Sequence, residues 1–392
     1  MGLGQRRLVR QFLLVRLAFW VGAAVTLLWS PIGDAAAQPP FRAWTGLGDW
    51  LFDTFAQWDS VWFLHIARHG YDMKETAAFF PLYPLVVRGV SEVLRSDVAA
   101  AVLVSLAAGT AAVIVLHRLA RPLLGEAGAT TTVLLVALYP IAFVFTAAYS
   151  DGLFLALAAW SFLAAVQGRP LLAGVLGGLA CGTRLVGLAL LPALLALLWP
   201  RSRGDALRLA PLLLLPAAVA AYALYLDQHL GDPWAFIHAQ GVYWHRHVHS
   251  AGPLTGLWLA VKDGYQGASE LVQHLPRAPH EAFEHRDEWA SWNVVQLLLL
   301  AGAAWLTWVA WRRLGIAYGL YSLATLVIVL TSPADFVPLV SLPRFLLGDF
   351  PLFLALGLLL RDRAGARLWT LVTFAAIGAA AAVGFAHHVW IA

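Results

Sequence analysis

The stretch Leu171–Trp199, LLAGVLGGLACGTRLVGLALLPALLALLW, carries a single charged residue, Arg184, near its middle. About 20 apolar residues cross the ~30 Å hydrocarbon core of a bilayer. The stretch is therefore long for one crossing and short for two, and Cys181-Gly182-Thr183-Arg184 interrupts it. The surrounding arginines decide between the readings, because basic residues collect on the cytoplasmic side. A single crossing puts Arg201, Arg203 and Arg208 outside and inverts Arg312, Arg313, Arg361, Arg363 and Arg367. Two short helices turning near Arg184 keep all of them inside. Arg184 is then expected near the outer face, lowered into the protein.

Composition agrees with a membrane setting. Charged residues make up 12% of the chain, against about 25% in soluble domains. The expectation is an all-α polytopic membrane protein of about eleven transmembrane helices, forming one unit over residues 1–392. Further crossings are expected over Phe12–Trp29, Val98–Leu116, Thr131–Ala148 and on to Val166. Later ones cover Leu209–Tyr225, Trp292–Trp311, Ile316–Leu330, a helix ending at Arg361, and Leu368–Trp390.

Two outer loops, 33–97 and 227–290, separate these helices, the first with interfacial helices between Trp44 and Gly70. Arg6, Arg7 and Arg10, the apolar run and Ala35-Ala36-Ala37-Gln38 resemble a cleavable signal peptide. The run exceeds the usual h-region of about 7–15 residues, which favours a retained first helix. The net charge of +4 comes mainly from arginines at membrane edges, which reads as topology and not nucleic-acid binding. Cys181 is the one cysteine, which excludes an intrachain disulfide and a thiolate metal cluster. Between Ala180 and Gly182 it reads as a small packing residue.

Outward from this stretch, the first outer loop holds the densest chemistry: QWDSVWFLHIARHGYDMKETAAFFPLYP over residues 57–84. Asp59, flanked by Trp58 and Trp62, is a carboxylate at an apolar interface, suited to taking a proton from an alcohol. The competing reading is a cap on a helix starting near Ser60. Asp49, Asp53 and Glu75 are rivals for the role of base, Glu75 the strongest of them. Arg184 at membrane depth needs a partner or a cavity; its planar fork suits either a phosphate or an ion pair with Asp151. Arg344 opens a helix at the outer face, where a phosphate role competes with ordinary interfacial placement. Tyr149-Ser150-Asp151 either lines a cavity or caps the next helix.

The histidines of the second loop, His238, His245, His247, His249, His274, His280 and His285, stand out. The alternation His245-Arg246-His247-Val248-His249 would suit a transition metal in an extended segment. No acidic residue adjoins it in sequence, and with Arg246 it fits a solvated surface, so no metal site is expected. No Walker loop, Rossmann fingerprint, HExxH or GxSxG elbow is present, so a soluble nucleotide sugar or ATP has no visible cradle.

Over Gln57 to Pro84 the chain resembles the PIG-V family of mannosyltransferases, within the GT-C class of multi-span glycosyltransferases. The resemblance rests on Trp58-Asp59, Phe63-Leu64, Ile66-Ala67, His69-Gly70-Tyr71 and Ala78-Phe79-Phe80-Pro81. It resumes at Tyr149-Ser150-Asp151, at Arg184 with Gly187, and at Arg344-Phe345-Leu346-Leu347-Gly348. It implies inverting transfer of mannose from a polyprenyl-phosphate donor to a hydroxyl of a glycolipid or glycan acceptor, without a cofactor. In this picture Asp59 is the base and Arg184 and Arg344 take up the phosphate charge. Trp58, Trp62, His65, Tyr71, Glu75 and Asp151 complete the expected substrate-binding set. The Arg-rich, nearly Lys-free composition suits a high-GC bacterium, so the cell membrane is expected, with the site on its extracytoplasmic side. The alternatives are a lipid or glycolipid transporter, or an inactive partner subunit.

Overall fold

The computed structural model describes residues 3–29, 53–200, 203–273, 286–335, 337–389 and 391. Its fifteen helices are α1 Leu3–Trp29, α2 Asp59–His69, α3 Leu82–Leu94, α4 Asp97–Leu138, α5 Asp151–Val166, α6 Pro170–Thr183, α7 Leu190–Leu198 and α8 Leu214–Leu230. They continue with α9 Ala235–Trp244, α10 Pro253–Gln273, α11 Arg286–Arg313, α12 Ile316–Thr331, α13 Leu342–Gly348, α14 Phe350–Leu360 and α15 Ala364–Ala386. The remaining pairing among the described residues is one isolated bridge, Arg246 to Ala334.

The protein is an all-α, multi-pass membrane protein. Among the described residues, α1, α4, α8 with the turn before it, α11 and α15 are long and apolar enough to cross a bilayer. The bent pair α13–α14, with a 76° angle at Asp349, makes a sixth candidate. Four shorter apolar stretches accompany them. The expected count of eleven is not reached by length and composition, because several of the expected crossings are apolar helices shorter than 18 residues.

Leu171–Trp199 does split. α6 ends where Arg184 turns extended, a short 3-10 turn Leu185–Ala189 follows, and α7 leads away. Gly187 permits the reversal: a Cβ there would lie 2.7 Å from the Cys181 nitrogen and 2.8 Å from its Cα. Cys181 itself is buried packing.

Elsewhere the boundaries move. The two expected crossings Val98–Leu116 and Thr131–Ala148 belong to one kinked element, α4, with Gly125 at φ 73°. The second stops at Leu138 because Pro140 follows, and residues before a proline leave the helical region. The carbonyls freed there are met by Arg16 of α1, which is buried and donates to Ala137 and Ala142. The second outer loop is largely helical, as α9 and α10. Gly256 of α10 packs so tightly on α12 that a Cβ would meet the Leu330 carbonyl at 2.0 Å. Of the interfacial segment expected over Trp44–Gly70, the structure describes residues from 53 on, where α2 forms; residues 44–52 with Asp49, His274, His280, His285 and the side chain of Asp53 lie outside the described residues.

Candidate active site

Four charged side chains, from four helices, meet in a row. Asp59 is the first residue of α2; Asp151 is the first residue of α5; Arg184 follows α6; Arg344 sits in the first turn of α13. Arg344 donates from Nη1 to Asp59 Oδ2 at 2.5 Å and from Nη2 to Asp151 Oδ2 at 3.0 Å. Arg184 donates from Nη1 to Asp151 Oδ1. Asp151 thus holds two guanidinium groups side by side, and Arg344 holds two carboxylates. Burial grades along the row: the side chains of Asp151 and Arg344 are 3% and 8% exposed, Arg184 15%, and Asp59 24%. Asp59 is the end that an incoming molecule can reach.

Neither acid caps its helix. Trp58 and Ser150 occupy the cap positions and make no side-chain cap bond. Asp59 and Asp151 spend their oxygens on arginines instead, so the capping reading of both residues fails. For Arg184 the alternatives merge: it pairs with Asp151 and lines a cavity as well. The aromatic ring of Tyr149 lies under Arg344, its centre 4.6 Å from the guanidinium carbon.

The cavity measures about 560 Å³, and Asp59, Arg184 and Arg344 are on its wall. Phe63, Phe79, Phe80, Trp244 and Phe345 supply aromatic surface; Leu185, Leu188, Ile328 and Val329 supply aliphatic surface. A charged end and an apolar flank suit an amphiphile with a phosphate head.

A third arginine, Arg246, lines the same cavity. It was expected in a solvated segment and is instead part-buried. Its backbone bridges Ala334, with His247 N–H donating to the Pro333 carbonyl and Asp335 N–H donating to the His245 carbonyl. Its side chain donates to the Val340 carbonyl. The Phe345 ring packs against both Arg246 and Arg184, its centre 5.4 and 5.2 Å from their guanidinium carbons. Burial, then the fields of Arg344 and Arg184, pull the Arg246 guanidinium down to about 10, so it stays charged at neutral pH. His245 and His247 face Asp335 at 3.9 and 3.5 Å.

Three of these residues follow strained backbone. Trp58, His245 and Ser341 have φ of 58°, 53° and 64°, a left-handed region that side chains other than glycine rarely occupy. Each stands one to three residues before Asp59, Arg246 or Arg344. Such outliers cluster where the fold over-determines a local geometry, often at functional sites.

The other expected residues lie apart from the row. Trp62 packs one layer behind the wall, against Phe79 and Trp244. Tyr71 donates to the Phe79 carbonyl at 2.7 Å and packs on Tyr222. His65 bonds Asp72 at 2.6 Å and holds that carboxyl below the usual range. Glu75 faces Tyr243. Trp58 packs into the main apolar core, its Nε1 buried without a partner. None of these five is among the described residues that line the cavity.

Comparison with known proteins fits this geometry. The family profile described as Mannosyltransferase (PIG-V) matches residues 16–199, which include Asp59, Asp151 and Arg184. GPI alpha-1,6-mannosyltransferase 2 of Rattus norvegicus is 35% identical over 169 residues, covering 39% of this chain and 34% of that protein. GPI mannosyltransferase 2 of Drosophila melanogaster is 49% identical over 39 residues, covering 10% and 9%. The match thus spans at most about a third of the length of these two relatives. Among solved structures, ArnT from Cupriavidus metallidurans bound to undecaprenyl phosphate superposes with a TM-score of 0.53 at 17% identity. The superposition covers 94% of this chain and 64% of ArnT, so the two share a fold. By the match over residues 16–199, just under half of the chain is similar to the PIG-V mannosyltransferase family.

Proposed function

We propose that the protein is an inverting glycosyltransferase that moves mannose from a polyprenyl-phosphate donor to a hydroxyl of a lipid-linked or extracytoplasmic glycan. The observation that carries this reading is the row of carboxylates and guanidiniums that ends on Asp59 at the wall of a largely apolar cavity. The names of the relatives support mannose as the sugar. The ligand named for ArnT supports a polyprenyl phosphate as carrier. The reading places the protein in the cell membrane with the cavity open to the extracytoplasmic side.

In this mechanism the polyprenyl tail lies along Leu185, Leu188, Ile328 and Val329, and the phosphate sits against Arg184 and Arg344. Arg344 engages one oxygen of Asp59, and a carboxylate has a second oxygen to accept a proton. The acceptor hydroxyl gives its proton to Asp59 as its oxygen attacks the anomeric carbon from the face opposite the phosphate. The carbon–oxygen bond to the phosphate breaks, and the bonding pair leaves with the lipid phosphate. Preplaced charges at the leaving group lower the barrier most, because they need no rearrangement as charge develops. Asp151 keeps the two guanidinium groups together before the phosphate arrives, where they would otherwise repel.

Purified protein given polyprenyl-phosphate-mannose and candidate glycan acceptors is expected to release polyprenyl phosphate. Asp59→Asn is expected to lose about 10³-fold of that release while inserting and melting like the parent. Near-parental turnover in Asp59→Asn moves the base to Glu75 or Asp53. A parent protein that binds the lipid and moves it across a vesicle without cleaving the sugar is a transporter, and the proposal falls.

A further inference from the structure

The charges at the cavity do not cancel, and the residue that unbalances them is Arg246. Asp59 and Asp151 contribute two negative charges; Arg184 and Arg344 contribute two positive ones and are salt-bridged to them. These four groups form a neutral set with no net pull on an anion. Arg246 stands on the same wall, and its side chain donates to a backbone carbonyl, that of Val340. The cavity therefore carries one net positive charge.

We propose that Arg246 makes this cavity a receptor for a lipid monophosphate whose charge it matches at each stage of transfer, and a poor receptor for a diphosphate. The inference rests on the donor class and the role of Asp59 proposed above. A lipid-phosphate sugar is a phosphodiester with one negative charge, equal and opposite to the cavity. When the acceptor hydroxyl gives its proton to Asp59, that carboxylate becomes neutral and the cavity gains a second net positive charge. In the same step the departing lipid phosphate becomes a monoester and gains a second negative charge. Site and ligand stay balanced before and after transfer, with no ion entering or leaving. A lipid-diphosphate sugar would exceed the cavity's charge by one at both stages. Release then follows when the proton leaves Asp59 and the site returns to one net positive charge.

The fold supports the assignment independently of the count. Arg246 is delivered by the short bridge to Ala334, directly after His245 in left-handed geometry. Its guanidinium and that of Arg184 both pack on the Phe345 ring, 5.4 and 5.2 Å from its centre, which holds the two close together.

The test uses full-length protein in lipid nanodiscs, with undecaprenyl phosphate and undecaprenyl diphosphate as probes at pH 8. Under these conditions the monophosphate is a dianion, since its second ionisation lies near pH 6. Arg246→Gln is expected to bind the monophosphate about tenfold more weakly than the parent, an effect of the size seen for losing one charged hydrogen-bonding partner. Arg246→Lys keeps the charge and is expected to stay within about threefold of the parent, which separates charge from folding. Asp59→Asn mimics the protonated acid and is expected to bind the monophosphate about tenfold more tightly than the parent. The parent is expected to bind the diphosphate no more tightly than the monophosphate. Equal binding by Arg246→Gln and the parent, an Arg246→Lys as weak as Arg246→Gln, or an Asp59→Asn no tighter than the parent each overturns the inference while leaving a monophosphate-linked donor in place; a preference for the diphosphate overturns both. A parent that binds neither lipid overturns the donor reading itself.

Discussion

Two ends of this molecule carry clusters of arginine and carboxylate, and they differ in what they can do. One is the cavity of Asp59. The other lies at the kink of α4, in a hollow of about 830 Å³ lined by His117, Arg118, Arg121 and Glu126, with Gly4 and Gln5 of α1. Gly152, beside Asp151, packs against Ser105, and His117 is twelve residues further along α4, roughly 18 Å by helical rise. The acid at the kink, Glu126, is 55% exposed and is shared by His117 at 3.1 Å and by Arg121, itself 68% exposed. Water screens such pairs, and exposed pairs contribute about 0–1 kcal/mol. In the other cluster every partner is mostly buried, so the same residue types hold a fixed geometry in a medium where charge is felt. Burial separates the two clusters and net charge does not, since Arg118 and Arg121 against Glu126 also leave one positive charge at the kink.

Substitutions can break or sharpen this contrast, and the expected effects fall in order. Asp59→Asn, assayed by release of polyprenyl phosphate, should cause the largest loss, about 10³-fold. Asp151→Ala should come next, and as a folding defect. It leaves Arg184 and Arg344 side by side without their shared acid, and breaking a buried ion pair costs about 3–5 kcal/mol. Thermal unfolding in nanodiscs should show a lower transition, and an unchanged transition would mean that solvent reaches the row freely. Arg246→Gln should follow, with about tenfold weaker lipid-phosphate binding and an unchanged melting transition. Glu126→Gln should do least, moving stability by less than about 1 kcal/mol and leaving sugar release intact. A Glu126→Gln defect in release would dissolve the contrast between the two ends.

Much of the site could be read from the chain. A lone arginine in an apolar run demanded a partner, and counting arginines on either side divided Leu171–Trp199 correctly. Asp59 stood out because two tryptophans flanked it, and Asp151 was named as the ion-pair partner of Arg184. The sequence could not reveal that Arg344 joins both acids, since its contact with Asp59 spans 285 residues and no periodicity encodes it. Arg246 was missed for a related reason. A single-residue bridge to Ala334 leaves no alternating pattern, and a loop rich in histidine looks like solvated surface. The signal that might have raised it is arithmetic: two carboxylates and two arginines leave nothing to attract an anion. The expected crossing at 131–148 ran past Pro140, where the proline should have weighed more than continuous apolarity. The tryptophans and Tyr71 seemed free to stack on a sugar because a sequence does not tell a wall from the layer behind it.

The long separation between Asp59 and Arg344 also bears on how the protein is made. A ribosome delivers Asp59 to the bilayer before Asp151 and Arg184, which lie 33 residues apart. The guanidinium that answers Asp59 arrives only when α13 emerges. A chain cut short before α13 is left with an acid at the rim of a greasy hollow, and lipid surroundings disfavour a lone carboxylate. Completion of the last helices therefore does more than add length, because it supplies the countercharge that lets the earliest active-site element settle.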